Sequence, residues 1–403
     1  MGTVLKIGDR VETVIGDVAF GGDGVGRVSD LVLFTSFTVD GDEVEVEITE
    51  VKKRYARGKL LRIIAPSTYR VAPPCPYYAR CGGCRMQHIA YAHQLELKQR
   101  QVVQAFGRIA KLSLPPVAPV IPSPRPYGYR GKAEFHPMDG RGGRRVGLMA
   151  LASSDLVEVE RCGIVDESIN RKYGELRKAL RSGSVRIGGD RQVIWSDVPG
   201  EPPTVIAIGF GIAPDVTRIV RGKRLTVPCR GFFQANVALV EKLVDQVVGM
   251  CALTGRETVI DAYGGVGLFS LFLGDRAGRL FGIEGDREAV RCAGINLRRH
   301  GLTQTEFIHG DVAAVLEKEF VRRRATADVV VLDPPRDGCD GGALESVVAL
   351  RPERIVYVSC NPTTQARDVR RLSDGGYVLR QLKPLDMFPQ TAHIEVVALL
   401  TRG

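Results

Sequence analysis

Aromatic side chains are scarce: they make up 6% of the 403 residues, and tryptophan occurs once. Aliphatic residues must therefore fill most of the core. No run approaches ~18 uninterrupted apolar residues, which excludes a membrane-spanning helix. Met1 to Arg10 contain no apolar stretch of the secretory kind, so export is not expected. Nine cysteines are too few for a disulfide scaffold, and their number is odd. They point to reduced thiols or bound metal in a cytoplasmic protein. No segment repeats at a fixed period, which argues against a solenoid. What remains is a globular composition, 44% hydrophobic and 25% charged, in a chain long enough for two or three domains.

The net charge of +10 is unevenly spread. Residues 1–64 carry −2, residues 65–230 carry +13 and residues 231–403 carry −1. Basic charge concentrated in one region is the footprint of polyanion binding, with RNA or DNA the first candidate. The competing explanation is a solvated surface in an arginine-rich chain, since Arg outnumbers Lys 43 to 13.

Residues 1–64 read as short strands and turns. Val44, Val46 and Ile48 alternate with Glu43, Glu45 and Glu47, the period of a half-buried strand. Four or five such strands in one small unit predict a barrel of OB type. Its last segment carries Lys52, Lys53, Arg54, Arg57, Lys59 and Arg62 without an acid, and the unit resembles a TRAM domain, an accessory RNA-binding barrel. A proline-bearing linker follows at 65–74. The spacing of Leu95, Leu97, Val102, Phe106 and Ile109 predicts an amphipathic helix over 92–111. Residues 127–230 are strand-like and glycine-rich, with one helix near 166–181. From 236 onward helices and strands alternate: a helix over 236–252, strands near 257–262, 279–283, 306–309, 328–332 and 354–359, and a final antiparallel pair. That pattern predicts a doubly wound sheet with its ligand at the strands' C-terminal ends.

Four groups of residues in this last part carry chemistry. Asp261-Ala262-Tyr263-Gly264-Gly265-Val266-Gly267 is a glycine-rich turn after a strand, and Glu284 closes the next strand, where a carboxylate can hold ribose hydroxyls. The spacing fits a dinucleotide fingerprint poorly and favours another nucleoside cofactor. Asp333-Pro334-Pro335-Arg336 ends a buried strand in a rigid loop at the same rim. Ser359-Cys360-Asn361-Pro362 places a thiol just before a helix that Asn361 caps and Pro362 opens. There the helix dipole is expected to lower the thiol pKa. Glu395, in His393-Ile394-Glu395, begins an apolar strand; it is either a surface carboxylate on an edge strand or a base beside Cys360.

These motifs, in this order, resemble those of the RNA uracil-C5 methyltransferases that make 5-methyluridine. Gly231-Phe232-Phe233-Gln234-Ala235-Asn236 matches that family's entry into its catalytic domain. The resemblance implies S-adenosylmethionine as methyl donor, with Gln234, Tyr263, Glu284 and Asp333 touching it. It also implies Cys360 as nucleophile, through a covalent Cys–C6 adduct, and Glu395 as base. Leu268 stands where the family often has asparagine, and Gly264 where many members have cysteine.

Cys75, Cys81 and Cys84 cluster within ten residues, with Cys162 far along the chain. Four thiolates suit zinc or a [4Fe–4S] cluster equally. Cys81-Gly82-Gly83-Cys84 and Glu160-Arg161-Cys162-Gly163 resemble the iron–sulfur segments of the same family, which implies the cluster. Between the cysteines, Arg125, Tyr127, Tyr129, Arg130, Lys132, Phe135, Arg141, Arg144 and Arg145 interleave cations with rings, as suits RNA phosphates and unstacked bases.

The expected architecture is α/β: a Rossmann-like class I methyltransferase domain (93–111 and 231–403), an N-terminal OB-type TRAM barrel (1–64) and a β-rich central iron–sulfur domain (65–92 and 112–230). The expected activity is 5-methyluridine formation in structured RNA, with 23S rRNA ahead of tRNA and no membrane or obligate protein partner. The rivals are an amino-group N-methyltransferase, which needs no thiol, and a non-catalytic iron–sulfur RNA-binding factor.

Overall fold

The computed structural model describes residues 5–140, 143–151, 153–185, 191–201 and 214–403. The first six strands, β1 (Arg10–Val14), β2 (Asp17–Val18), β3 (Asp23–Val28), β4 (Leu31–Ser36), β5 (Glu43–Val51) and β6 (Tyr55–Ala65), form one sheet in the order β1-β5-β6-β4-β3-β2. The valine–glutamate alternation of β5 does what its period dictates. Val44, Val46 and Ile48 join Ile15, Leu33 and Ala56 in the barrel core, while the glutamates stay outside.

Helix α1 (Tyr91–Arg108) ties this barrel to the rest of the molecule. Val102 and Phe106 enter the core of the C-terminal sheet. From the same helix, Gln101 donates to the Val18 carbonyl and His93 meets Asp40, both in the barrel.

The middle sheet has the order β10-β7-β8-β9, built from β7 (Lys132–Gly140), β8 (Gly143–Met149), β9 (Leu156–Val157) and β10 (Gln192–Trp195). Helix α2 (Glu167–Arg181) is capped by the Asp166 side chain and packs over the sheet. There Phe135 stacks on Tyr173 with 4.0 Å between ring centroids. A hairpin, β11 (Val216–Val220) and β12 (Lys223–Val227), follows. Val216, Val220, Leu225 and Val227 pack with Leu243, Val247 and Val356 of the C-terminal domain. The hairpin's apolar face thus has its partner in the following domain.

That domain comprises α3 (Val240–Cys251), β13 (Thr258–Ala262), α4 (Leu268–Leu273), β14 (Arg279–Glu284), α5 (Arg287–Arg299), β15 (Thr305–His309), α6 (Val312–Val315, continued by a wider turn to Val321), β16 (Val329–Leu332), α7 (Gly341–Leu350), β17 (Arg354–Ser359), α8 (Pro362–Asp374), β18 (Tyr377–Leu385) and β19 (Glu395–Arg402). Strand order is β15-β14-β13-β16-β17-β19-β18; the first five are parallel and β19 runs antiparallel to both neighbours. The chain reverses its direction of winding between β13 and β16, which opens a crevice at their C-terminal ends. Helix α3 starts four residues later than its periodicity suggests. Asn236 is used otherwise: its side chain donates to Ser123 Oγ and accepts from the Ala238 N–H, making a turn before the helix. Among the described residues no helix is long and apolar enough to cross a membrane.

Candidate active site and cysteine cavity

The crevice floor begins where β13 ends. Tyr263 is left-handed at φ 63°, as are Gly265 and Gly267 at 55° and 82°, which turns the chain sharply into α4. Glu284, at the end of the adjacent β14, accepts from the Gly265 N–H at 2.9 Å and the Asp286 N–H at 2.7 Å. Burial, with the Cys339 thiol nearby, pushes the Tyr263 hydroxyl up. A Cβ on Gly264 would lie 3.1 Å from the Asp261 carbonyl and from the Phe307 ring, so a cysteine here would need these neighbours to give by a few tenths of an ångström. Leu268 is buried in the apolar core. Gln234 is buried in the loop after β12, and no hydrogen bond among the described residues ties its side chain to the crevice.

Carboxyl groups crowd this floor. Burial and the Glu284 charge push Asp261 up to about 6, although Ser270 donates to it. Asp333, which follows β16, is pushed up to about 8 by burial and by Asp261 and Glu284. Glu395 is 3% exposed, and burial together with Asp333 raises it well above the carboxylate range. The edge-strand alternative for Glu395 is thereby removed: β19 is paired on both sides.

Cys360 emerges from β17 immediately before α8. Asn361 caps that helix by accepting the Thr363 N–H at 3.1 Å, and Pro362 opens it, as its sequence requires. The expected depression of the thiol pKa does not occur. Burial first, then the Glu395 and Asp333 carboxyls, push it up to about 11. Arg336 opposes this shift, its guanidinium favouring the thiolate, and it stands 3.5 Å from His393 Nε2. Sequence reasoning quoted Arg336 only as a motif letter; its place at the end of the rigid Pro334-Pro335 loop was the available signal. Burial and the nearby cations hold His393 down at about 4, so it is neutral.

Cys75, Cys81, Cys84 and Cys162 line one cavity of about 190 Å³, shared with Tyr77, Arg130 and Arg161. The distant fourth cysteine is brought in by specific bonds. Gly82 N–H donates to the Met149 carbonyl, Cys162 N–H to Asn170 Oδ1, and Glu160 N–H to the Tyr77 hydroxyl. Burial raises the Cys81 and Cys162 thiols and pushes Cys84 up to about 12, and the nearby thiols add to the effect. No group of three or more His, Cys, Asp or Glu among the described residues is gathered closely enough to hold a single metal ion. The four thiols share the wall of this one cavity.

The basic and aromatic segment at 125–145 departs from expectation. Tyr129 and Phe135 are fully buried, and the Tyr129 hydroxyl donates to the Pro389 carbonyl. Lys132 donates to the Gly231 carbonyl at 2.8 Å and lies over the Trp195 ring, while Arg130 Nε donates to the Lys132 carbonyl beside the cysteine cavity. Tyr129 and Phe135 are thus internal, and Arg130 and Lys132 are half-buried. Arg125 and Arg145 are exposed and Tyr127 is half-buried; Arg141 lies outside the described residues. On the barrel, Lys53, Arg54 and Lys59 are exposed at and beside the β5–β6 turn.

Comparison with known proteins agrees with this geometry. Residues 220–403 match the tRNA (Uracil-5-)-methyltransferase family, and residues 5–61 match the TRAM domain. Proteins named as uncharacterized RNA methyltransferases share the full length. That of Halalkalibacterium halodurans is 34% identical over 97% of both chains. That of Thermosynechococcus vestitus is 35% identical over 99% of both. Among solved structures, the tRNA (uracil-54, C5)-methyltransferase of Pyrococcus abyssi with S-adenosyl-L-homocysteine superposes with a TM-score of 0.73 at 24% identity, covering 97% of this chain and all of that one.

Proposed function

The chain belongs to the RNA uracil-C5 methyltransferase family, and from that premise we propose how its own residues methylate a uridine and which RNA they act on. The enzyme uses S-adenosylmethionine; Gln234, Tyr263, Glu284 and Asp333 are the residues assigned to it here. The observation that carries the catalytic reading is the register of β17 against β19, which sets Ser359 opposite Val396 and so brings Cys360 beside Glu395 at the mouth of the cofactor crevice.

Uracil C5 is a weak nucleophile. Cys360 Sγ adds to C6, and the C5–C6 π electrons move toward C5 and O4, giving an enolate. C5 of that enolate then takes the methyl group from the donor's sulfonium sulfur, whose bonding pair stays on the sulfur. Glu395, in its ionised form, removes the remaining C5 proton, and the electrons of that C–H bond expel Cys360 from C6. Arg336 makes the first step accessible, because its charge favours the thiolate that burial opposes. The positive sulfonium would act in the same direction once bound. A base in folded RNA reaches this crevice only after extrusion from its stack.

Cys75, Cys81, Cys84 and Cys162 would hold a [4Fe–4S] cluster, which would supply a cross-link between sequence-distant loops. The exposed cations at the β5–β6 turn and Arg125 and Arg145 suit RNA phosphates, in a cytoplasmic enzyme. The substrate assigned is 23S rRNA. tRNA is the second reading, favoured by the Pyrococcus protein's substrate. Incubation of the enzyme and S-adenosylmethionine with unmodified 23S rRNA and tRNA, followed by nucleoside mass spectrometry and site mapping, separates them. One 5-methyluridine in rRNA is expected. The modification in tRNA alone would move the substrate, and a methylated amino group would contradict the reaction.

A further inference from the structure

The segment between β18 and β19 is irregular but deeply buried: Asp386 and Met387 are wholly covered, and Gln390, Thr391 and Ala392 are 3%, 5% and 6% exposed. Buried loops are uncommon because their backbone groups need partners. Here the partners come from α1, the loop after Cys84 and the stretch around Ile121 and Tyr129, and the segment leads into His393 and Glu395.

From α1, Lys98 Nζ donates to Asp386 Oδ1 at 2.6 Å and to the Phe388 carbonyl at 3.2 Å. That carbonyl also accepts from Thr391 Oγ1, which in turn accepts the His393 N–H. Gln94, one turn earlier on α1 and fully buried, accepts the Gln390 N–H at 3.1 Å. Its amide donates to Gln390 Oε1 and to the Met86 and Ile89 carbonyls at 2.8–3.0 Å. The Gln390 carbonyl receives the N–H groups of Arg85 and Met86, both at 3.0 Å. These two residues directly follow Cys84. Gln390 is held at φ 67°, a conformation rare outside glycine. The barrel reaches the same place. A Cβ on Gly22 would lie 3.2 Å from Arg85 Cβ and 3.4 Å from Ala392 Cβ, and Arg85 donates to Asp23 at 2.7 Å.

We propose that Asp386–Ala392 is a positioning clamp, with Gln94 and Thr391 as its positioning residues, that sets His393 and Glu395 according to how the barrel and the cysteine-bearing loop are seated. It rests on the reading of Glu395 as the base. RNA held by the outer domains would thereby be registered against the proton acceptor. Among the described residues no hydrogen bond joins Asp386–Ala392 to the β13–α4 turn or to Glu284, so loosening it should leave cofactor binding alone and slow the step that needs Glu395.

The test uses the full-length enzyme and two near-isosteric variants, Gln94→Met and Thr391→Val, with Glu395→Gln alongside. Each clamp variant should fold by circular dichroism and bind S-adenosylmethionine with unchanged Kd. Its kcat should fall about tenfold to hundredfold, the scale of a small misplacement of a reacting group, with RNA KM changed much less. A protein–RNA adduct stable to denaturant should accumulate at steady state, because methylation outruns proton removal. Thr391→Val keeps the inference testable should Gln94→Met fail to fold. Wild-type kcat without adduct in the clamp variants, while Glu395→Gln does accumulate it, overturns the clamp alone. So does a kcat loss matched by an equal loss of cofactor affinity, which would mark general loosening. Absence of adduct in Glu395→Gln itself removes the base assignment, and the clamp falls with it.

Discussion

Cys360 lies one residue beyond the Ser359–Val396 pair, which puts its sulfur beside the buried carboxyl of Glu395 at the start of β19. The neighbourhood works against the thiolate before substrate arrives, and Arg336 is the group that favours it. Alkylation of Cys360 in the cofactor-free enzyme, followed by mass spectrometry, should therefore be slow at pH 7 and rise toward about pH 11. Replacing Arg336 with Met should move the rise further alkaline. A rise centred between pH 7 and 8 would show that the helix dipole prevails over the carboxyls.

Cofactor binding should take a proton off the crevice floor. Asp333 sits at about 8 without ligand, among Asp261, Glu284 and Glu395, with Arg336 the nearby cation. Protonated Asp333 cannot pair with a sulfonium, whereas its carboxylate can. S-adenosylmethionine affinity should accordingly strengthen as pH rises from 6 to 8 and level off above, approaching tenfold per unit on the steep part. Calorimetry in buffers of different ionisation enthalpy should register proton release. S-adenosylhomocysteine, which lacks the sulfonium charge, should show a much flatter profile; identical profiles would remove Asp333 from the donor's charged end.

Local chemistry could be read from the residues with little loss. The βαβ series, the Asn361 cap, the Gly-rich turn and the Cys75, Cys81 and Cys84 group all follow from patterns a few residues long, whereas Cys162 joins that group only through the family resemblance. Long-range facts could not be read. The net charge of 65–230 treats every cation as surface, yet Arg218 is 3% exposed and donates to Ser196, and Lys172 pairs with Asp197 inside the fold. Tyr129 and Phe135 have the spacing of stacking rings but meet Pro389 and Tyr173 instead. The Cys360 environment depends on Asp333 and Glu395, which only the sheet order brings near.

Anaerobically purified protein should be brown and hold about four irons per chain. Cys75, Cys81, Cys84 or Cys162 to Ser should each lower the iron content and the melting temperature of the middle domain. Stoichiometric zinc without iron would replace the cluster with a mononuclear site.

Converting Lys53, Arg54 and Lys59 to Gln should weaken RNA binding and reduce the slope of log affinity against log salt by roughly 2, from three lost phosphate contacts on a single strand. Lys132→Gln should instead lower stability, since its ammonium holds the Gly231 carbonyl inside the protein. A wild-type salt slope in the triple variant would place the RNA surface elsewhere.

The most direct test of the account is a denaturing gel of Glu395→Gln with radiolabelled RNA and S-adenosylmethionine, with Cys360→Ala as its partner lane. In the proposed mechanism addition and methyl transfer precede the step that needs the base, so the folded Glu395→Gln enzyme should retain methylated RNA on Cys360 and show a shifted band that Cys360→Ala lacks. A Glu395→Gln enzyme that turns over at the wild-type rate without a band, or a Cys360→Ala enzyme that still methylates uridine, would contradict the covalent mechanism.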